Sequence, residues 1–419
     1  MMRNQRTAEW SRFAYKDQRD TVSITNDLFN SCRKRRRRTV KILFINLPYY
    51  GHFIPTVGLV QELIELNYEV AYMMPYGWEK EVEESGASFI GYPNHKKLSE
   101  QIKNVIAAAE KVIMEYDLII YEQFFFLGKH LARKYKKPVV RIFTAPVANK
   151  KLMDEYISAG GALGIFKYAW IGRRWTKKLA KGIPLKTDNW LDEIIYNPPK
   201  LNLVYTLQEY QPYAEEFPSE QYKFIGPSTY NRKNTVFEFT KTNPLIYISL
   251  GTVVKGSTRF FKKCFKAFED QPVDVIISTG QQLPLKRIKH IPDNIHIHKT
   301  VPQIEVLKLA DVFVTHGGMN SVSEALVQGV PMVVIPFIAD QPVNANRVEE
   351  LGLGKKLEYK QINSEELRSI VFSVISDEGI KTNTLNMQRL MTNAPGNSGG
   401  ARMIDDFYQN YLIENSIGL

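Results

Sequence analysis

A chain of 419 residues, 44% hydrophobic and 24% charged, is long enough for two or three domains and has the composition of a globular protein. No run approaches the ~18 to 20 apolar residues of a membrane span, the N-terminus lacks the apolar core of a secretory signal, and two cysteines exclude a disulfide framework or a four-ligand zinc site. The net charge of +11 points towards nucleic acid only until it is located: residues 1–40 hold eleven Lys or Arg against four Asp or Glu, a net +7. The excess therefore belongs to an arm that includes the block Arg33-Lys34-Arg35-Arg36-Arg37-Arg38, with no groove-reading motif beside it.

Residues 1–38 lack apolar periodicity and read as a basic, disordered extension. Val40–Leu47 opens the fold as a buried strand, Pro48–His52 is the loop after it, and a helix follows from Pro55-Thr56 to Leu66. Strands at Glu69–Met74, Ala87–Tyr92, Asp117–Tyr121 and Pro138–Phe143 then alternate with helices at Trp78–Ser85, Lys96–Met114 and Phe126–Tyr135. That alternation predicts a parallel sheet covered on both faces. Residues 145–199 break it with scattered Gly and Trp among Lys/Arg pairs. An aromatic-rich substrate pocket and a helical excursion packing its own core are equally consistent with that segment. Strands at Leu201–Thr206 and Tyr222–Ile225 finish this half.

Polar residues 226–243 read as an inter-domain linker. The second half repeats the alternation, with strands at Leu245–Leu250, Val273–Ser278, Ile295–His298, Val312–Thr315 and Met332–Ile335. Helices are expected at Arg259–Asp270, Ile304–Leu309, Ser321–Gln328, Pro342–Leu351, Ser364–Ser376, Gly379–Thr392 and Gly400–Glu414. The expected fold class is α/β, with two Rossmann-like doubly wound parallel-sheet domains facing across a cleft. The domain expectation is an extension (1–38), a first domain (39–228), a linker (229–243), a second domain (244–396) and a last helix (397–419) crossing back to the first domain.

The chemistry concentrates in residues 312–341, which read strand, Gly-rich turn, helix, strand. In such a unit the first turn aims backbone N–H groups at an anion. Gly317 and Gly318 let a ligand approach the backbone closely. Asn320 and Ser321 start the helix, where free N–H groups and the helix dipole favour a diphosphate. Glu324, one turn in, can accept from ribose hydroxyls, and Asp340 and Gln341, just past the second strand, can bind sugar hydroxyls. Each of these features alone is ordinary; together at the carboxyl ends of parallel strands they point to a nucleotide-sugar site.

The segments TVPQ (Thr300–Gln303), THGGMNSVSEALVQGVP (Thr315–Pro331) and Asp340-Gln341 resemble the signature of UDP-dependent glycosyltransferases of the GT-B type, in particular a bacterial macrolide- and flavonoid-glucosylating branch. NSGGA at Asn397–Ala401 is similar to that branch's C-terminal helix. The resemblance implies that His316 donates to a phosphate, that Gln303 with the backbone around Val301 reads the base, and that Gly251-Thr252 closes on the phosphates from the other side. NLPYYGHFIPTVG, in the first half, resembles the family's acceptor side and implies that His52 is the general base, with Glu122 at the position of an Asp partner. Two departures stand out. Glu122 is one methylene longer than Asp, and Thr300 replaces an aromatic residue that would stack on uracil.

The resulting expectation is a hexosyltransferase moving a hexose, glucose by resemblance, from a UDP-sugar to a hydroxyl of a small, largely apolar acceptor. The reaction is a single displacement with inversion, without metal or other cofactor, in a cytoplasmic monomer. The alternatives are a lipid or cell-wall acceptor, with the basic arm touching anionic membrane, and a non-catalytic nucleotide-sugar binder. Nucleic acid is not an expected partner.

Overall fold

The structure, a computed structural model, describes residues 39–159, 170, 172–179, 185–228, 236–251, 258–280, 290–338, 340–360 and 362–417. The basic extension, part of the linker, Thr252 and residues 160–169 of the irregular segment lie outside the described residues. Two parallel sheets form the frame. The first contains β1 (Lys41–Ile45), β2 (Glu69–Pro75), β3 (Ser88–Tyr92), β4 (Leu118–Glu122), β5 (Val139–Phe143), β6 (Leu201–Val204) and β7 (Tyr222–Phe224). The second contains β8 (Leu245–Ser249), β9 (Asp274–Ser278), β10 (Ile295–His298), β11 (Val312–Thr315), β12 (Met332–Val334) and β13 (Gly354–Lys356). Their spatial orders are 3-2-1-4-5-6-7 and 10-9-8-11-12-13.

Both orders reverse once, between β1 and β4 in the first sheet and between β8 and β11 in the second. A doubly wound sheet opens a crevice at that reversal, because the connections leave to opposite faces there. β1 pairs with β4 through Ile45 and Tyr121, and β8 pairs with β11 through Ser249 and Thr315. The strands are apolar on both faces, as helix-covered parallel strands must be: Leu118–Glu122 and Leu245–Ser249 are buried along their whole length.

Most expected elements are present with shifted ends, and three differences matter. His52 does not lie in a loop. The helix after β1 begins at Tyr50 and runs to Glu65, which places His52 in its first turn and Pro55 inside it. The helix after β11 begins at Met319 with Gly318 as its cap, so Asn320 and Ser321 belong to its first turn. Gly354–Lys356 forms an edge strand that its short, polar sequence concealed. The irregular segment contains helices at Lys150–Ala159, Arg173–Leu179 and Trp190–Tyr196, of which the last two pack Leu179 and Ile194 into the first domain's core.

The described end of the linker is less polar in its contacts than in its composition. Phe237 and Phe239 stand edge-on to His298 and His296 of β10, with ring centroids 5.6 and 5.0 Å apart. The long helix Gly396–Ile417 returns to the first domain, where Ala401, Ile404 and Tyr408 join Leu59, Val60 and Leu63 in one buried cluster. Among the described residues, no helix is long and apolar enough to cross a membrane.

Because Ile404 is fully buried in the first domain's core, truncating it to Ala is expected to destabilise the protein by about 2–4 kcal/mol. Denaturant unfolding followed by tryptophan fluorescence checks this. An unchanged midpoint would mean the helix is not part of that core.

Candidate functional site

The first sheet's crevice is built from three strand ends. Glu122 is the last residue of β4 and fully buried, Thr144 follows β5, and His52 comes down from the first turn of the helix after β1. His52 Nδ1 lies 3.0 Å from Glu122 Oε1 and 2.7 Å from Thr144 Oγ1. The Thr144 hydroxyl also donates to Glu122 Oε1, at 3.4 Å. A carboxylate at Nδ1 selects the tautomer with its proton there and leaves the Nε2 lone pair as the basic atom. The extra methylene of Glu122 is absorbed by folding the carboxylate back, because its Oε2 accepts from the Phe124 backbone N–H at 2.9 Å.

Aromatic rings wall this dyad. Phe124 and Tyr49 stand edge-on to the imidazole at 4.9 and 5.6 Å between centroids. Burial by itself would lower the His52 pKa, but the Glu122 charge and hydrogen bond, with the Asp340 charge across the cleft, outweigh it and raise the pKa above its ordinary value. Asp117, at the opposite end of β4, accepts from the Lys41 backbone N–H at 2.9 Å and takes no part in the dyad.

The second sheet's crevice holds the glycine turn. Gly251 lies two residues after β8 with φ +68°, and Gly317 follows β11 with φ +82°. A Cβ on Gly251 or on Gly318 would stand 2.7 Å from the His316 ring, so the imidazole occupies a slot that only glycines leave open. His316 is 9% exposed, its Nδ1 has no hydrogen-bond partner among the described residues, and burial pushes its pKa down to about 4. It is therefore neutral near pH 7 and keeps one N–H to donate. The helix that follows has no side-chain cap, so its first N–H groups remain available to an anion.

Around this turn the other site residues form two small networks. Asn344, buried and one turn beyond Asp340, donates to the Gly317 carbonyl at 2.8 Å and to Asp340 Oδ2 at 3.0 Å, tying the turn to the acid. Burial raises the Asp340 pKa against the pull of those hydrogen bonds and of His52. Gln341 is buried with its Oε1 accepting from the Phe337 and Ile338 N–H groups at 2.8 and 3.1 Å, so its oxygen serves its own loop. The second network joins Gln303 to Glu324 at 2.6 Å, to Ser321 at 3.4 Å and to the Tyr247 hydroxyl at 3.2 Å. Thr300 is exposed and Val301 half-buried, three and two residues before Gln303.

The two crevices face each other. Asn320 Nδ2 donates to the Gly51 carbonyl at 3.1 Å, one residue from His52. A cleft lined by Ile54, Pro55, Thr144, Tyr205, Asn320 and Glu324 lies beside that contact. Sequence reasoning missed Thr144, Tyr205 and Asn344. The first two share the one signal that could have found them, a polar or aromatic residue at the carboxyl end of a parallel strand; Asn344 had only its four-residue spacing from Asp340.

Residues 232–398 match the family described as UDP-glucoronosyl and UDP-glucosyl transferase. The chain is 32% identical to the NDP-glycosyltransferase YjiC of Bacillus licheniformis over 394 residues, covering 87% of this chain and 97% of that one. It is 23% identical to the oleandomycin glycosyltransferase of Streptomyces antibioticus, covering 87% and 90% of the two chains. The crystal structure of the calicheamicin glycosyltransferase CalG4 superposes with a TM-score of 0.77 at 26% identity, covering 88% of this chain and 98% of that one.

Two titrations follow from the electrostatics. Glu122→Gln removes the charge but not the burial, so His52 is expected to titrate below its ordinary value instead of above it. Imidazole NMR shifts measure this, and an unmoved titration would assign the shift to another group. His316 is depressed in the folded state, so its neutral form contributes stability above pH 6.5 that is lost as pH falls towards 4. His316→Gln is therefore expected to flatten the stability–pH curve in that window, measured as Tm against pH.

Proposed function

The chain belongs to the UDP-glucoronosyl and UDP-glucosyl transferase family and is a hexosyltransferase; on that premise we propose that it moves glucose from a UDP-sugar to a hydroxyl of a small, largely apolar natural product of macrolide or flavonoid type. The observation that carries this reading is the meeting of two half-sites. A His52 imidazole backed by Glu122 at 3.0 Å stands in one crevice, and an uncapped helix N-terminus beside a neutral His316, whose Nδ1 has no partner among the described residues, stands in the other.

In this reading the donor's diphosphate lies over the first turn of the helix Met319–Gln328. The backbone N–H groups of Asn320 and Ser321, the Ser321 hydroxyl and the His316 N–H donate to it. Glu324 takes the ribose hydroxyls, Gln303 the base edge, and Asp340 with the Gln341 amide the sugar hydroxyls. The acceptor lies along Tyr49 and Phe124. His52 Nε2 removes the hydroxyl proton as the acceptor oxygen forms its bond to the anomeric carbon and the bond to the diphosphate oxygen breaks. The anomeric centre inverts, UDP departs, and Glu122 steadies the imidazolium until the proton passes to solvent. Helix dipole, amides and His316 supply the charge stabilisation that other transferases draw from a metal ion, so no metal is required in this scheme.

The acceptor class is supported by the relatives' names, which are those of an oleandomycin glycosyltransferase and a calicheamicin glycosyltransferase. It is also supported by the rings that wall His52. The exposed Thr300 cannot stack on a base, which favours a donor site less selective between uracil and thymine than one with an aromatic ring there.

Mass spectrometry of products from a mixed acceptor panel with UDP- and dTDP-sugars tests the proposal, and the expected result is a hexosylated natural product. His52→Ala is expected to reduce transfer by about 10²–10⁴-fold while UDP affinity changes little; retained transfer would remove the base assignment. Thr300→Trp is expected to tighten UDP by about 1–3 kcal/mol, read by calorimetry.

A further inference from the structure

The contact between Asn320 and Gly51 has a cause in the sequence. Pro55 is the sixth residue of the helix Tyr50–Glu65 and stands four residues after Gly51. In an α-helix the N–H of residue i+4 takes the carbonyl of residue i, and proline has none. The Gly51 carbonyl therefore lacks the donor its own helix would normally give it. Asn320, in the first turn of the donor helix, donates its Nδ2–H to that carbonyl at 3.1 Å across 269 residues of sequence.

The location gives the bond its consequence. Gly51 immediately precedes His52, and Asn320 stands two residues after the Gly318 cap. Other cross-domain bonds, from Arg347 to the Tyr210 and Glu209 carbonyls at 2.9 and 2.8 Å, reach segments beyond β6 and not the dyad. The Asn320 bond joins the helix bearing His52 directly to the helix bearing the phosphate cradle.

We infer that Asn320 is a positioning residue, which sets the distance and angle between the His52 helix and the donor helix through the carbonyl that Pro55 leaves open. The inference rests on the proposed function and goes beyond a phosphate contact for Asn320. The two roles are compatible because the backbone N–H of Asn320 can serve the anion while its side-chain amide serves Gly51. A Cβ on Gly51 would stand 3.7 Å from Asn320 Nδ2, an ordinary contact, so it is the carbonyl rather than the absence of a side chain that matters at this position.

The test uses the full chain with Asn320→Ala, Pro55→Ala and the double variant. Pro55→Ala leaves the cradle untouched but returns an N–H that competes for the Gly51 carbonyl. For a positioning role, Asn320→Ala lowers kcat by about tenfold or more, as small misplacements do, with UDP Kd changed less than about threefold. Pro55→Ala lowers kcat in the same direction at unchanged UDP Kd and adds nothing in the Asn320→Ala background. Spin-label distances between the two halves, measured without turnover, broaden in both single variants. A weakened UDP Kd with kcat intact in Asn320→Ala would make it a donor ligand only, and multiplying effects of the two variants would assign Pro55 to helix stability; either result overturns the inference. A wild-type chain that transfers no sugar would count against the proposed function, while the distance measurement would still decide the link.

Discussion

Two helices, Tyr50–Glu65 and Met319–Gln328, direct their N-terminal ends at the same strip of cleft, and neither end carries a side-chain cap. Each end carries roughly half a positive charge in its unsatisfied N–H groups. Like poles brought together repel, and with no caps to absorb them the gap favours an anion. Much of the site answers to that constraint. His316 is kept neutral by burial, so it adds a donor without adding charge. The carboxylates of Glu122 and Asp340 flank the strip, one held behind His52 and the other behind the glycine turn.

The frame that produces this meeting is the reversal of strand order, which occurs once in each sheet. Without it, the loops after β1 and β8 would be covered by the neighbouring connections. With it, the carboxyl ends of β1, β4 and β5 deliver His52, Glu122 and Thr144 to one point, although they lie far apart in sequence. The same reversal brings Gly251 against His316 in the second sheet, close enough that a Cβ on either flanking glycine would strike the ring.

The parallel strands were legible because buried apolar runs bounded by Gly, Pro and polar residues have few other uses, and Val312–Thr315 and Ile295–His298 fall where the sequence puts them. Helix starts were less legible. Pro55 suggested a first turn because proline is favoured there, yet the helix begins five residues earlier and sacrifices one hydrogen bond. Asn320-Ser321 stands where a cap would, but Gly318 turns the chain first, so the Asn320 amide reaches the Gly51 carbonyl and the Ser321 hydroxyl meets Gln303 instead of their own backbone. Thr144 was hidden because a threonine after a strand is commonplace; only the packing of β5 beside β4 brings its hydroxyl to 2.7 Å from an imidazole. Edge strand β13 was missed because Gly-Lys-Lys has neither length nor apolar character.

The helix Gly396–Ile417 carries a consequence for how the molecule is made. Its residues Ala401, Ile404 and Tyr408 fill the core of a sheet whose strands all precede residue 225. During synthesis the first sheet leaves the ribosome without that filling, and the entire second sheet must emerge before it arrives. Domains that are contiguous in sequence can finish folding in order as they are made; here the first to begin is the last to be completed. The second domain is in effect threaded between two parts of the first, and a stalled chain lacking the last helix would expose Leu59, Val60 and Leu63 to the cell.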